Sequence, residues 1–303
     1  MNTIIATDAS GSYRVHLAIT TDMVETARQI HDTTPVATAG LGRVITGAGL
    51  MGTLMKGQRD RLTVTFKGDG PAKQILATAY ADGRVKGYIA NPYVDLPLRE
   101  DGKLDVGGSL GIGELTVIKD LGLREPYVGT IALVDGEIAD DLTAYYYISE
   151  QQNSAFALGV KVEVDHHVSA AGGMVIQMLP NYQEEAVDAL EKMIADLPPI
   201  TTLVEECTKK GAGKTQIGIV RDLLERIFGD MPEDYKVNVL EEREIKWECD
   251  CSRERIEQAL MTIGRKDLQE IIEEDGQAEL TCQFCETRYQ FNKEELEDLL
   301  ARI

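Results

Sequence analysis

Cys249-Asp-Cys251 and, after an intervening stretch of 30 residues, Cys282-Gln-Phe-Cys285 decide how the end of this chain folds. A Cys-x-x-Cys turn aims two sulfurs at one ion, and a second cysteine pair completes a tetrahedron. The four histidines stand at 16, 31, 166 and 167, all outside this segment, so the site is thiolate-only. Soft ligands in a tetrahedron favour zinc over magnesium or calcium, with iron in a rubredoxin-like site as the rival. We therefore expect one zinc ion per reduced chain, held by Cys249, Cys251, Cys282 and Cys285. A segment this short, with few large apolar residues, hardly folds alone. Zinc binding to such modules supplies about 10–16 kcal/mol, so metal binding and folding become one event. Spacing leaves two roles open. The site is a permanent structural knuckle, or it is a switch. Zinc is redox-inert but its thiolates are not, and joining Cys249 to Cys251 or Cys282 to Cys285 would remove ligands and eject the ion.

Working outward, the pattern divides 303 residues into three parts. Residues 1–180 read as a mixed α/β core domain. Val15, Leu17 and Ile19 alternate as a strand, Met23 to Ile30 is helical, and a second helix covers about Val36 to Met55. Short strands separated by turns follow, at Leu62–Phe66, Ala77–Tyr80, Leu115–Ile118, Tyr127–Val134 and Ala157–Val164. Residues 181–240 read as a helical linker. Val187, Leu190, Ile194 and Leu197 share one face before Pro198-Pro199, and Val220, Leu223, Leu224, Ile227 and Phe228 mark another amphipathic helix closed by Gly229. Residues 241–303 form the zinc module, with Ser252 capping one helix, a second short helix through Leu268, Ile271 and Ile272, a hairpin over Glu279–Phe291, and a capping box at Asn292-Lys-Glu-Glu295. The fold class is α+β.

The formal charge is −20, and residues 231–303 carry 20 acidic against 10 basic side chains. Nucleic acid and anionic membranes are poor partners for such a surface. No apolar run approaches the roughly 20 residues that span a bilayer, and Met1–Asp8 lacks the basic start of a signal peptide. A cytoplasmic location is expected. In a reducing compartment, paired cysteines point to metal or redox chemistry more than to structural disulfides.

Four other features carry less. Gly47-Ala-Gly-Leu-Met-Gly52 matches a dinucleotide fingerprint, but it lies inside a helical stretch with no strand before it. Gly213-Lys-Thr215 resembles the end of a phosphate loop, yet the required earlier glycine is Thr208. His166-His167 reads as a surface or strand-end pair, and Cys207, following Glu205 and Glu206, as an inert helix cysteine.

At the cysteines and along nearly the whole chain, the sequence resembles a known family, the redox-regulated 33-kilodalton chaperone heat shock protein 33. The Cys-x-Cys…Cys-x-x-Cys pattern matches at 249, 251, 282 and 285. The flanks Cys-Asp-Cys-Ser-Arg-Glu-Arg255 and Cys-Gln-Phe-Cys-Glu-Thr-Arg-Tyr-Gln-Phe291 match too. Upstream, Gly111–Asp120, Tyr147–Gln151 and Ala171–Pro180 resemble family segments, with Asn181 standing where the family pattern has glycine. The resemblance implies an ATP-independent holdase and not an enzyme, quiet while reduced and zinc-bound. Oxidants would form the disulfides Cys249–Cys251 and Cys282–Cys285, release zinc, unfold the module and destabilise the linker. Unfolding client proteins then bind, typically to a homodimer. Two other classes stay open on the residues alone: a constitutive zinc-ribbon adaptor for a protein partner, and a thiol–disulfide oxidoreductase using Cys282 and Cys285.

Overall fold

The computed structural model describes residues 1–303 as two compact units, Met1–Trp247 and Glu248–Ile303. The first runs β1 (Thr3–Asp8), β2 (Tyr13–Ile19), α1 (Thr21–His31), α2 (Pro35–Thr53), β3 (Arg61–Gly68), β4 (Gln74–Tyr80), β5 (Arg84–Ile89), α3 (Val106–Leu110), β6 (Gly113–Asp120) and β7 (Tyr127–Ala132). It continues through α4 (Ala139–Ile148), β8 (Ser154–Val162), β9 (Val168–Met178), α5 (Glu184–Ala195), α6 (Ile200–Lys210), α7 (Gln216–Phe228), β10 (Val237–Arg243) and β11 (Lys246–Trp247). The second unit holds α8 (Arg253–Thr262), α9 (Arg265–Glu274), β12 (Gln277–Thr281), β13 (Arg288–Asn292) and α10 (Lys293–Ala301).

Two sheets organise the first unit. One has the order β10-β1-β2-β9-β8 and is antiparallel throughout; the other runs β11-β5-β4-β3-β6-β7. Helix α2 lies between them, touching β3, β4 and β5 on one side and β2, β8 and β9 on the other. A helix sandwiched this way must be largely apolar all round, and α2 is, apart from Arg43 and the hydrogen-bonded hydroxyls of Thr38, Thr46 and Thr53. Arg43 ion-pairs with Glu137 at 2.5 Å, which keeps its charge matched. The dinucleotide-like glycines belong to this helix. A Cβ at Gly47 would sit 2.6 Å from Leu142 Cδ1, and one at Gly49 would sit 2.7 Å from Ile245 Cγ2. They let neighbours approach closely and cradle no phosphate.

The strand period assigns the two faces of β2. Tyr13, Val15, Leu17 and Ile19 point to one side, His16 and Ala18 to the other. The first face is covered by α5, α6 and α7, which bury Leu190, Leu203, Val204, Val220, Leu223, Ile227 and Phe228 against it. Tyr13 stacks on Phe228 with ring centroids 6.2 Å apart and donates its hydroxyl to the Tyr235 carbonyl at 2.5 Å. The helices of 184–228 are thus packed on a sheet, whereas 237–240, expected in the helical linker, belong to strand β10 of that sheet because they pair with β1. Ile194 departs from the expected stripe: it is 39% exposed and lies outside this cluster. Residues 241–247, expected with the zinc module, instead complete the first unit. Arg243 pairs with Thr3, and Lys246–Trp247 runs parallel to Arg84–Val85. Asn181 has φ 67°, the left-handed region where glycine is at ease and asparagine is tolerated, so its replacement of glycine keeps the turn. Gly213-Lys-Thr215 is a helix start, in which the Thr215 hydroxyl accepts from the Gly218 amide.

His16 is a buried exception on the α2 face, 1% exposed. The Thr53 hydroxyl donates to the Leu50 carbonyl at 2.6 Å, so in its 2.7 Å contact with His16 Nδ1 the imidazole is the donor. Nε2 is left with no partner. Burial, then the positive charges of Arg14 and Arg243, push the pKa down to about 3. An unfolded chain takes up this proton near pH 6.5, whereas the folded chain refuses it until about pH 3. The stability due to neutral His16 is therefore complete above about pH 6.5 and is lost as pH falls toward 3. At about pH 5 the loss should be about 2 kcal/mol. Urea unfolding of wild type and His16→Gln across this window checks it. The variant should show a shallower acid slope, and equal slopes would contradict the assignment.

Candidate metal centre

Each ligand pair is aimed by its own backbone. Cys249 and Cys251 lie on an extended segment, where residues two apart point to the same side. Ser252 then caps α8, accepting from the Arg255 amide. Cys282 and Cys285 occupy the turn between β12 and β13, which pair from Gln277↔Asn292 to Thr281↔Arg288. The Cys282 amide donates to the Thr287 carbonyl at 2.9 Å, and the Glu286 amide to the Cys282 carbonyl at 2.9 Å. Glu286 sits at φ 57°, closing the turn tightly enough to face both sulfurs inward.

The four sulfurs lie within 4.8 Å of one another. Sulfurs about 2.3 Å from a shared tetrahedral ion stand about 3.8 Å apart. Two contacts between the motifs approach that spacing: Cys249 Sγ to Cys282 Sγ at 3.7 Å and Cys251 Sγ to Cys285 Sγ at 3.3 Å. All four are free thiols, and no histidine or carboxylate joins the group. The donor set fits a soft tetrahedral metal ion, and the cluster could hold one.

The sulfurs are electrically unequal. Burial pushes the Cys249 and Cys282 thiols up. Burial acts the same way on Cys285, but hydrogen bonds from Thr287 and contacts with Cys251 and Cys282 outweigh it and bring this thiol down to about 7. The Tyr289 hydroxyl donates to Cys251 Sγ at 3.2 Å, a bond that raises the phenol to about 12.

Little else holds the unit. Its buried apolar core is Leu260, Leu268, Ile272, Phe291, Leu296 and Leu299. Arg253 adds a polar tie, with its guanidinium 4.3 Å above the Phe291 ring, donating to the Gln290 carbonyl at 3.1 Å and to Glu295 at 2.6 Å. Asn292 and Glu295 cap α10 reciprocally.

Cys207 lies apart, in α6 and inside the first unit's core. Burial and then Asp222 push its thiol up, which suits an inert cysteine. His166 and His167 sit at the exposed tip between β8 and β9. Sequence reasoning had no signal for Tyr289 as a partner of Cys251, which the fold brings together from 38 positions apart, while Thr287 lies two residues from Cys285 in the same turn.

Comparison with known proteins agrees with this architecture. A family model described as Hsp33 protein matches residues 2–292. A 33 kDa chaperonin of Clostridium botulinum is 46% identical over 97% of this chain and 96% of its own length. One from Alkaliphilus metalliredigens is 44% identical over 99% and 98%. The crystal structure of the 33 kDa chaperonin (heat shock protein 33 homolog) of Thermotoga maritima superposes with a TM-score of 0.82 at 37% identity, covering 100% of this chain and 99% of that one. These names are those of chaperones, not of an enzyme, and no helix here is long and apolar enough to cross a membrane. With a family match across both units and relatives aligned over almost their full length, this chain belongs to the Hsp33 family of chaperones.

Proposed function

We propose that this chaperone is a holdase switched by oxidation of a zinc-bound Cys249–Cys251–Cys282–Cys285 centre. The observation that carries the reading is the convergence of four thiols, with no nitrogen or oxygen donor, in a unit whose buried apolar core has six side chains. When bound, zinc supplies folding energy of about 10–16 kcal/mol and holds the four sulfurs as thiolates. The rest is the work of the chain. A thiolate attacks hydrogen peroxide, breaking the O–O bond to give a sulfenic acid and hydroxide. The neighbouring thiolate then attacks that sulfur, forming a disulfide and expelling a second hydroxide. Two electrons leave each sulfur pair. We assign the bridges to Cys249–Cys251 and Cys282–Cys285, with Cys207 left reduced inside the α6 core.

Losing the centre unfolds residues that begin directly after β11, a strand of two residues. The preceding β10 is an edge strand, and α5–α7 lie before it in the chain. Their release would uncover Ile4, Tyr13, Val15, Leu17, Met174 and Ile176, an apolar sheet face suited to unfolded clients. The formal charge of −20 keeps such a complex soluble and disfavours nucleic acid or anionic membrane as partners. Cysteines kept as free thiols fit the reducing cytoplasm. Homodimerisation of the oxidised form accords with a newly exposed apolar face.

The test combines metal analysis, peptide mapping and light scattering of a heat-labile client before and after peroxide at mild heat. We expect one zinc per reduced chain, its release on oxidation, the two bridges named, and aggregation suppressed only afterwards. Zinc retained with clients held equally in both states points to a constitutive adaptor, and turnover in insulin reduction points to an oxidoreductase. Either result rejects the switch.

A second prediction isolates the linker from the thiols. Leu223, on the inner face of α7, is fully buried, and a carboxylate there should cost a few kcal/mol. Reduced, zinc-loaded Leu223→Asp should suppress client aggregation without peroxide. If its helices are loosened and the client aggregates as it does alone, uncovering this face is not the switch.

A further inference from the structure

On β13, Tyr289 and Phe291 face inward, and they meet two alternate residues, Cys251 and Arg253. Phe291 lies beneath Arg253, and the Tyr289 hydroxyl donates to Cys251 Sγ at 3.2 Å. Cys285 has a different neighbour, the Thr287 hydroxyl at 3.2 Å, and neither Cys249 nor Cys282 is met by a side-chain hydroxyl. The four sulfurs are thus distinguished by their second layer of contacts, which in thiolate centres governs both ligand orientation and reactivity.

We propose that Tyr289 is a positioning residue that restrains the oxidation of Cys251. The inference rests on the redox reading above. A hydroxyl hydrogen bond to a thiolate draws electron density from the sulfur, engages one of its lone pairs and lowers its nucleophilicity. Attack by Cys251 on peroxide, with loss of hydroxide and then closure by the Cys249 thiolate with loss of a second hydroxide, is slowed while this bond is in place. The Tyr289 hydroxyl therefore sets how much oxidant the Cys249–Cys251 pair withstands. The ring itself packs beside the C-terminal core, so removing only the hydroxyl leaves that packing in place.

The experiment uses full-length, zinc-loaded Tyr289→Phe and, as a neighbour control, Thr287→Val. Limiting iodoacetamide followed by peptide mapping reads each cysteine separately, and peroxide-driven zinc release is followed in parallel. In Tyr289→Phe, Cys251 should be alkylated roughly 3- to 10-fold faster, the range expected for loss of one hydrogen bond of ordinary strength, with the other three unchanged. Zinc release should accelerate by a similar factor. In Thr287→Val the change should fall on Cys285 instead. Unchanged Cys251 labelling in Tyr289→Phe overturns the proposal. So does a uniform rise at all four cysteines, or failure to hold one zinc, since each shows that the residue serves only to keep the unit folded. If wild-type protein keeps its zinc under peroxide, the redox reading fails by itself, and the alkylation pattern still decides whether Tyr289 shields Cys251.

Discussion

The convergence of four sulfurs is the constraint on which the C-terminal unit depends. Two short helices, a hairpin of two five-residue strands and a final helix enclose six buried apolar side chains, too few to offset the chain entropy of 56 residues unaided. Capping at Ser252 and Asn292 and the Arg253 bridge tidy the helix ends, each worth about 1 kcal/mol. In the proposed zinc centre, a shared ion joining Cys249-Asp-Cys251 to the Cys282–Cys285 turn would be the strongest of the ties that close the unit across its length. Folding and thiol chemistry would then be one property, and whatever altered the sulfurs would alter the fold.

The first unit is built so that this dependence need not spread everywhere. Its two apolar clusters lie on opposite faces of the sheet that contains β1, β2, β8, β9 and β10. The α2 side is enclosed between two sheets and uses no residue from α5–α7. The other side is closed by those three helices and by Met231 and Tyr235, which lead into the edge strand β10. Removing the helices would expose an apolar face while the β1-β2-β9-β8 part of the sheet keeps its α2 backing and its ladder. A binding surface of this kind stays flat and folded, unlike one produced by melting a whole domain.

Much of this was legible in the sequence because it is local. Cysteine spacing located the four-thiol cluster, the Ser252 and Asn292–Glu295 signals located α8 and α10, and helical periodicity located α1, α2, α5 and α7. What escaped was non-local. β1 is a strand because it lies between β2 and β10, so Thr3 meets Arg243 across the length of the first unit. That pairing moved the unit boundary from 241 to 247, since an apolar pattern cannot reveal which edge a distant strand will join. β9 was visible only as a family-like segment, its small residues Ala170–Gly173 masking the alternation. Ile194 followed the helical period but fell beyond the reach of the sheet. His16 and Tyr289 owe their character to partners brought by tertiary structure, Thr53 and Arg243 for one and Cys251 for the other.

The central claim is that the thiol centre governs whether α5–α7 stay on the sheet. Segment-resolved hydrogen exchange on reduced, zinc-loaded protein and on peroxide-oxidised protein addresses it most directly. The account predicts that oxidation strips protection from α8–α10 and also from α5–α7, while α2 and β3–β6 exchange as slowly as before. Oxidised protein that holds a client with α5–α7 as protected as in the reduced form would contradict it.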